Sequence, residues 1–192
     1  MSTKTTREID AEIFGRETHF EYSEHWIGYA LVSMRVVMGW VLLQGGVTKL
    51  ITYLNATPDD NWTASGFLLH AIPEGNPFTS AFAAMAGLPL IDILVMWGLT
   101  LTGLGLIVGG LVRFNAFWGA FMMMMFWAAS LTGGLMQGLP VAHGWVVDDH
   151  LVYAVLLFGI GAAGSGRILG VDAYLEKMEF VKNNRVLRLF LG

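Results

Sequence analysis

Residues 27–51 are apolar almost throughout, interrupted only by Arg35 and Lys49 among charged groups, and three more such runs follow at 88–112, 115–135 and 147–166. A helix needs ~20 mostly apolar residues to cross the hydrocarbon core of a bilayer. Within lipid, only helices and closed barrels satisfy every backbone polar group, and the sequence has no sustained period-two alternation of the barrel kind. These runs predict an all-α integral membrane four-helix bundle. Only the short segment "VRFN" separates the second run from the third, which predicts a tight helical hairpin.

Composition points the same way. The chain has 192 residues, the length of a single domain, and is 55% hydrophobic and 14% charged. A soluble domain carries about 25% charged residues. The charges crowd into the two ends. The expected division is therefore a polar N-terminal tail over 1–25, a four-helix domain over 26–166 and a mixed apolar and basic segment over 167–192. After Asp172 the last segment is expected to form one amphipathic helix lying at the membrane surface. The first apolar run starts too late and is too long for a signal sequence, so it is expected to be retained.

Orientation follows from the placement of Lys and Arg. Four spans put both termini and the turn between helices 2 and 3 on one side. That side holds Lys4, Arg7, Arg16, Arg113, Arg167, Lys177, Lys182, Arg185 and Arg188, whereas the loops at 52–87 and 136–146 hold no Lys or Arg. The expectation is a multi-pass protein of the cell membrane with both termini cytoplasmic and a long outer loop. Within that loop, residues 63–72 are expected to form a short helix stopping before Pro73. Asn55 and Asn61 open N-x-T sequons, whose glycosylation is left open.

Several functions are excluded or disfavoured. There is no cysteine, hence no disulfide, no thiol redox chemistry, no cysteine-held iron–sulfur cluster and no c-type haem. A net charge of −4 gives no footprint for nucleic acid. Only His150 is near a span, too few histidines for a b-type haem within the bilayer. His143 and His150 with Asp148 and Asp149 lack a diagnostic metal spacing, so no metal is expected. In "FMMMMFW" (121–127), consecutive helical residues point about 100° apart, so the methionines cannot converge on one ion. Glycines at 105 and 109, and at 159, 161, 164 and 166, are read as sites of close helix packing.

The intramembrane charges are the most informative residues, because charge at membrane depth is costly and marks ion pairs or sites. Arg35 and Lys49 lie near one stripe of helix 1 but ~21 Å apart along its axis. Arg35 leans cytoplasmically. It reaches the inner interface or pairs with Asp172, a structural role shared with Arg113 and Arg167. Lys49 leans inward from the outer end, near the depth of Asp92 on helix 2. Helix 4 opens with "VVDDHLVY", where Asp148 is the expected N-cap and Asp149, His150 and Tyr153 share neighbouring positions. Two readings stay open: an ion-pair latch, or a polar pocket for a quinone headgroup. In the pocket reading, Lys49, Asp92, Asp149 and His150 carry the chemistry, and Gln44, Tyr153 and Trp97 bind the ring.

The segments "RVVMGWVLLQGGVTKLI", "PLIDILVMWGLTLTGLGLIVGGLVRFNAFWGAFMMM" and "GSGRILGVD" resemble the motifs of the DoxX/DoxD membrane family. The matching positions are Arg35 and Lys49, then Asp92 where the family commonly has Glu, then Arg113, and finally Gly164, Gly166, Arg167 and Asp172. The last motif departs at Leu169–Gly170. The resemblance implies a four-helix membrane protein and, for DoxD, a subunit associated with thiosulfate:quinone oxidoreductase that works with a small partner. The expected function is thus a membrane subunit of a quinone-linked oxidoreductase, with quinone as substrate or bound ligand. The alternatives are a non-enzymatic accessory or scaffold subunit and a small-molecule carrier. The expected partners are the lipid bilayer and either another subunit or a second copy of the chain.

Overall fold

The structure is a computed structural model that describes residues 6–55, 57–132 and 147–192. Lys4, His143 and the expected 136–146 loop lie outside the described residues. The protein is mostly helical, but not all-α. Residues expected to be a tail form an antiparallel hairpin, β1 (Thr6–Ile13) and β2 (Arg16–Ser23). The register pairs Ile9 with Phe20 and Arg7 with Tyr22, which puts Ile9, Ala11, Phe20 and Tyr22 on one face. Glu8, Asp10, Glu12, Glu17, His19 and Glu21 occupy the other. Phe14 (φ 52°) and Gly15 (φ 73°) make the two-residue turn, the mirror-image type whose twist suits a hairpin. The period-two signal was present here, in a short polar stretch.

Helix α1 (Glu24–Leu50) follows directly, with Arg7 Nε donating to Glu24 Oε1 at 2.5 Å across the junction. A 3₁₀ turn, Ile51–Leu54, prolongs it. Helix α2 (Ser65–His70) lies in the long loop and ends before Pro73, close to expectation, and α3 (Thr79–Met85) adds a second short helix there. Helix α4 (Pro89–Val108) opens on a proline, whose missing N–H is no loss in a first turn.

The break between α4 and α5 (Val112–Ser130) does not fall at "VRFN". Gly109 takes the left-handed conformation (φ 71°) and closes α4, and Leu111 (φ 49°) precedes α5. Arg113 and Asn115 therefore belong to the first turns of α5 rather than to a loop. Helix α6 (Asp149–Ala162) is shorter than the expected 147–166. Beyond it the expected single amphipathic helix is replaced by α7 (Asp172–Leu175), α8 (Glu179–Lys182) and α9 (Arg185–Phe190).

Helix α1 packs on α4 and α5 on α6, with further contacts between α4 and α5 and between α1 and α6. Met38, Leu42, Leu99, Leu106, Met123 and Leu157 fill the shared core. The approach of α1 to α4 is close: a Cβ on Gly39 would sit 2.8 Å from Ile107 Cγ1 and 2.9 Å from the Gly103 carbonyl, and one on Gly46 would sit 2.9 Å from the Met96 carbonyl. Small residues allow such backbone proximity. Gly159, expected to serve in the same way, has no neighbour within 4 Å.

Two helices among the described residues are long and apolar enough to cross a membrane, Glu24–Leu54 and Pro89–Val108. The 14 residues of α6 reach only about 21 Å at 1.5 Å each. Helix α5 has 19 residues, but Arg113, Asn115 and two tryptophans make it less apolar.

Candidate functional site

Arg35 and Asp172 turn out to be the structural centre of one end of the helices. Arg35 is 1% exposed. Its Nη1 donates to the Ser165 carbonyl and, at 3.0 Å, to that of Ile168, while Nη2 donates to the Leu169 carbonyl at 3.1 Å. The guanidinium lies against the glycines at 109 and 170, where an added Cβ would come within 3.0 Å of it. Asp172, fully buried, accepts from the backbone N–H groups of Leu111 (2.7 Å), Val112 (2.9 Å) and Gly192 (3.1 Å). The expected Arg35–Asp172 ion pair is not formed among the described residues. Each charge instead satisfies backbone groups of the opposite polarity, the cation on carbonyls and the anion on the orphan N–H groups of a helix start. Arg35 leans toward the turn beyond α6, as expected, but its guanidinium is buried there rather than exposed.

At the other end, Lys49 and Asp92 also fail to pair. Lys49 Nζ leans back along its helix to the Gly45 carbonyl at 2.8 Å, the direction expected from helix geometry. The Trp62 ring covers it at 5.3 Å, a cation–π contact. Asp92 Oδ1 accepts from the Ala64 N–H at 2.7 Å. The two charges thus both hold one short loop segment, residues 62–64. The sequence placed both charges near this depth but gave no sign of the loop that they hold.

Helix α6 holds a third group. Asp148 caps it as expected, accepting from Leu151 N at 2.9 Å, and also lies 3.0 Å from His150 Nδ1 and 3.3 Å from Ser130 Oγ. Asp149 Oδ1 is 3.3 Å from the same imidazole nitrogen. Asp148, Asp149 and His150 have ligand atoms close enough to share an ion, but the buried Asp148 is already committed to the cap. Tyr153 packs against the apolar core. Gln44 is exposed on α1.

What does exist beside Asp92 is a cavity of about 570 Å³ lined by Leu50, Tyr53, Leu54, Ile93, Met96 and Trp97, together with Pro89 and Asp92. Its walls are apolar and its one charge is Asp92. Of the expected quinone-site residues, Asp92 and Trp97 line it. Lys49, Gln44, Asp149, His150 and Tyr153 do not.

Two features escaped sequence reasoning. Asn76, buried in the long loop, donates from Nδ2 to the carbonyls of Ala128 (2.9 Å), Ala129 (3.2 Å) and Leu131 (2.9 Å). It thereby caps α5 from outside. Its only cue is its place in "EGNPF", which reads as an ordinary turn. The other is a second cavity, of about 760 Å³, where Arg113 and Arg167 face the C-terminal helices. There Arg167 holds Glu176 by Nε at 2.9 Å and Nη2 at 2.6 Å. That hydrogen bond pushes the Glu176 carboxyl below the usual glutamate range and the Arg167 guanidinium higher still.

The fold and sites therefore define a mostly helical protein with two helices of membrane-crossing length and an apolar cleft beside a carboxylate. No family model matches the chain, and no curated protein or solved structure matches it significantly.

Proposed function

We propose that the chain is a membrane subunit of a quinone-linked redox complex, and that the cleft between α1 and α4 binds the quinone. The observation that carries the membrane part is the outward face of the helices. Only 22% and 28% of the two span segments are buried. Trp40, Leu94, Phe117 and Phe158, one from each long helix, are exposed. A helix apolar on all sides belongs in lipid or in a large core, and this chain is too small for the latter. Helices α5 and α6 complete four crossings in this reading, with the hairpin and the C-terminal helices on the cytoplasmic side.

The cleft supports the ligand part. Its apolar walls suit a ring and the start of a tail, Trp97 offers a stacking face, and Asp92 offers a carboxylate with one oxygen bonded to the loop. A few polar groups in an apolar cavity is the usual form of a small-molecule site. The resemblance to the DoxX/DoxD family points to the same ligand class and to thiosulfate as a candidate reductant. Lys49 and Asp92 are taken up by the 62–64 loop segment and the Asp149–His150 pair lies on α6, so in this reading this chain supplies binding and a partner subunit supplies the reductant chemistry. That separation also favours the second reading, a non-enzymatic scaffold of such a complex.

A titration of the purified chain with a short-tailed quinone, followed by tryptophan fluorescence, tests the proposal. Saturable quenching is expected. Ile93→Trp should abolish it by filling the cleft. Asp92→Asn should bind the quinone at least as well, because an ionised carboxylate only accepts hydrogen bonds and a quinone carbonyl needs a donor, and should weaken only the reduced quinol, whose hydroxyl donates. Lys49→Met should bind as wild type. Absence of saturable quenching in the wild type, or equal binding by Ile93→Trp, removes the cleft as the site and leaves the scaffold.

A further inference from the structure

The second cavity is a basic cup. Arg113 from α5, Arg167 from the turn after α6, and Lys182, Arg185 and Arg188 from the last two helices line it, with Glu176 as its one carboxylate. Counting charges, five cations face one anion. Arg167 neutralises Glu176, and Lys182 lies 2.9 Å from Glu179. Arg113, Arg185 and Arg188 are left with no carboxylate within ion-pairing distance among the described residues, although Arg113 and Arg188 share the Glu176 charge with Arg167 at longer range. Folding has gathered three unpaired guanidinium groups, 72 or more residues apart in sequence between Arg113 and the other two, around one opening.

Like charges do not cluster for stability. Bringing three together raises the energy of the fold unless an anion joins them. The planar fork of arginine matches phosphate oxygens two at a time. The α5 N-terminus is not part of this recognition, because Asp172 already occupies its first N–H groups. The surroundings narrow the anion further. Val181 and Leu191 are buried and anchor the segment to the helices, and Phe190 stacks edge-on against Phe114 at 5.4 Å. Phe180, Val186 and Leu189, from the same short stretch, are exposed. Arginines flanked by outward apolar side chains suit an interface where a charged headgroup sits above acyl chains.

We propose that this cup binds a phosphate group, and that its occupant is the headgroup of an anionic phospholipid. The cup lies apart from the quinone cleft, so the proposal does not depend on the quinone titration. It does rest on the membrane reading for the source of the phosphate, which the experiment separates from the site itself.

The test uses the full chain in neutral detergent and measures binding of dihexanoyl phosphatidylglycerol, dihexanoyl phosphatidylcholine and inorganic phosphate by calorimetry. The variant is Arg185→Gln with Arg188→Gln. Both side chains are exposed, so its helicity and melting should match wild type. Saturable binding of phosphatidylglycerol is expected, about tenfold or more weaker in the variant and weakened by salt, with little binding of phosphatidylcholine. Inorganic phosphate that binds as tightly as phosphatidylglycerol would keep the phosphate site and overturn the lipid. No binding of either anion, or equal binding by wild type and variant, would overturn the proposal.

Discussion

Arg35 is the residue on which the end of the helix group depends. Three carbonyls, the buried one of Ser165 and the partly buried ones of Ile168 and Leu169, accept hydrogen bonds from this one side chain. Orphaning a buried polar group costs about 1–3 kcal/mol. Arg35→Met should therefore destabilise the protein by roughly 3–5 kcal/mol. Arg35→Lys should recover only part of this, since one ammonium cannot take the place of the arginine fork. Thermal unfolding in detergent measures both, and a Met variant that melts with wild type would contradict the assignment. The importance of Arg35 was legible in the sequence, because a charge inside an apolar run demands a partner. Its partners were not. They come from a turn 130 residues later, and Leu169 holds a positive φ of 50° there, a conformation that an unglycinated sequence gives no reason to expect.

At the scale of elements, the α1–α4 contact is built on missing side chains. Gly39→Leu must push against the Gly103 carbonyl and Ile107, and should cost about 1–3 kcal/mol or more. Gly159→Leu, a change of the same size in open space, should stay within about 0.5 kcal/mol of wild type. Equal melting temperatures for the two variants would refute the close crossing. Sequence reading picked out Gly105, Gly109, Gly161, Gly164 and Gly166, each of which would bring an added Cβ within 3.0 Å of a neighbour, but it also chose Gly159, which would not, and did not single out Gly39 or Gly103. The decisive property is which face meets a neighbour, and a glycine count carries no azimuth. The hairpin was missed for a related reason: attention to apolar runs passes over a polar stretch whose alternation is carried by Ile9, Ala11, Phe20 and Tyr22. The C-terminal segment broke into short helices because Val181 and Leu191 are drawn inward while their neighbours are not, a split no single amphipathic helix would make.

For the whole molecule, the four-crossing reading makes a definite forecast. The chain lacks cysteine, so single cysteines can be introduced without background. Phe14→Cys in the hairpin and Leu189→Cys near the C-terminus should react with an impermeant maleimide only after cells are opened. Asp59→Cys in the long loop should react in intact cells. Labelling of position 14 and position 189 from opposite sides would require an odd number of crossings and end the reading.

Taken by itself, the sequence determined that this chain is dominated by long apolar helices with charged ends, and that a few charges would be held inside them. Those properties follow from composition and periodicity, which are local. Tertiary structure alone decided how the charges are used. Arg35 and Asp172 serve backbone groups rather than each other, Lys49 and Asp92 both hold one loop segment, and Arg113 meets Arg185 and Arg188 at a cup. Depth along a helix can be counted from residue number. Which way each face turns depends on how all the helices and loops pack together, and that is settled only in the folded molecule.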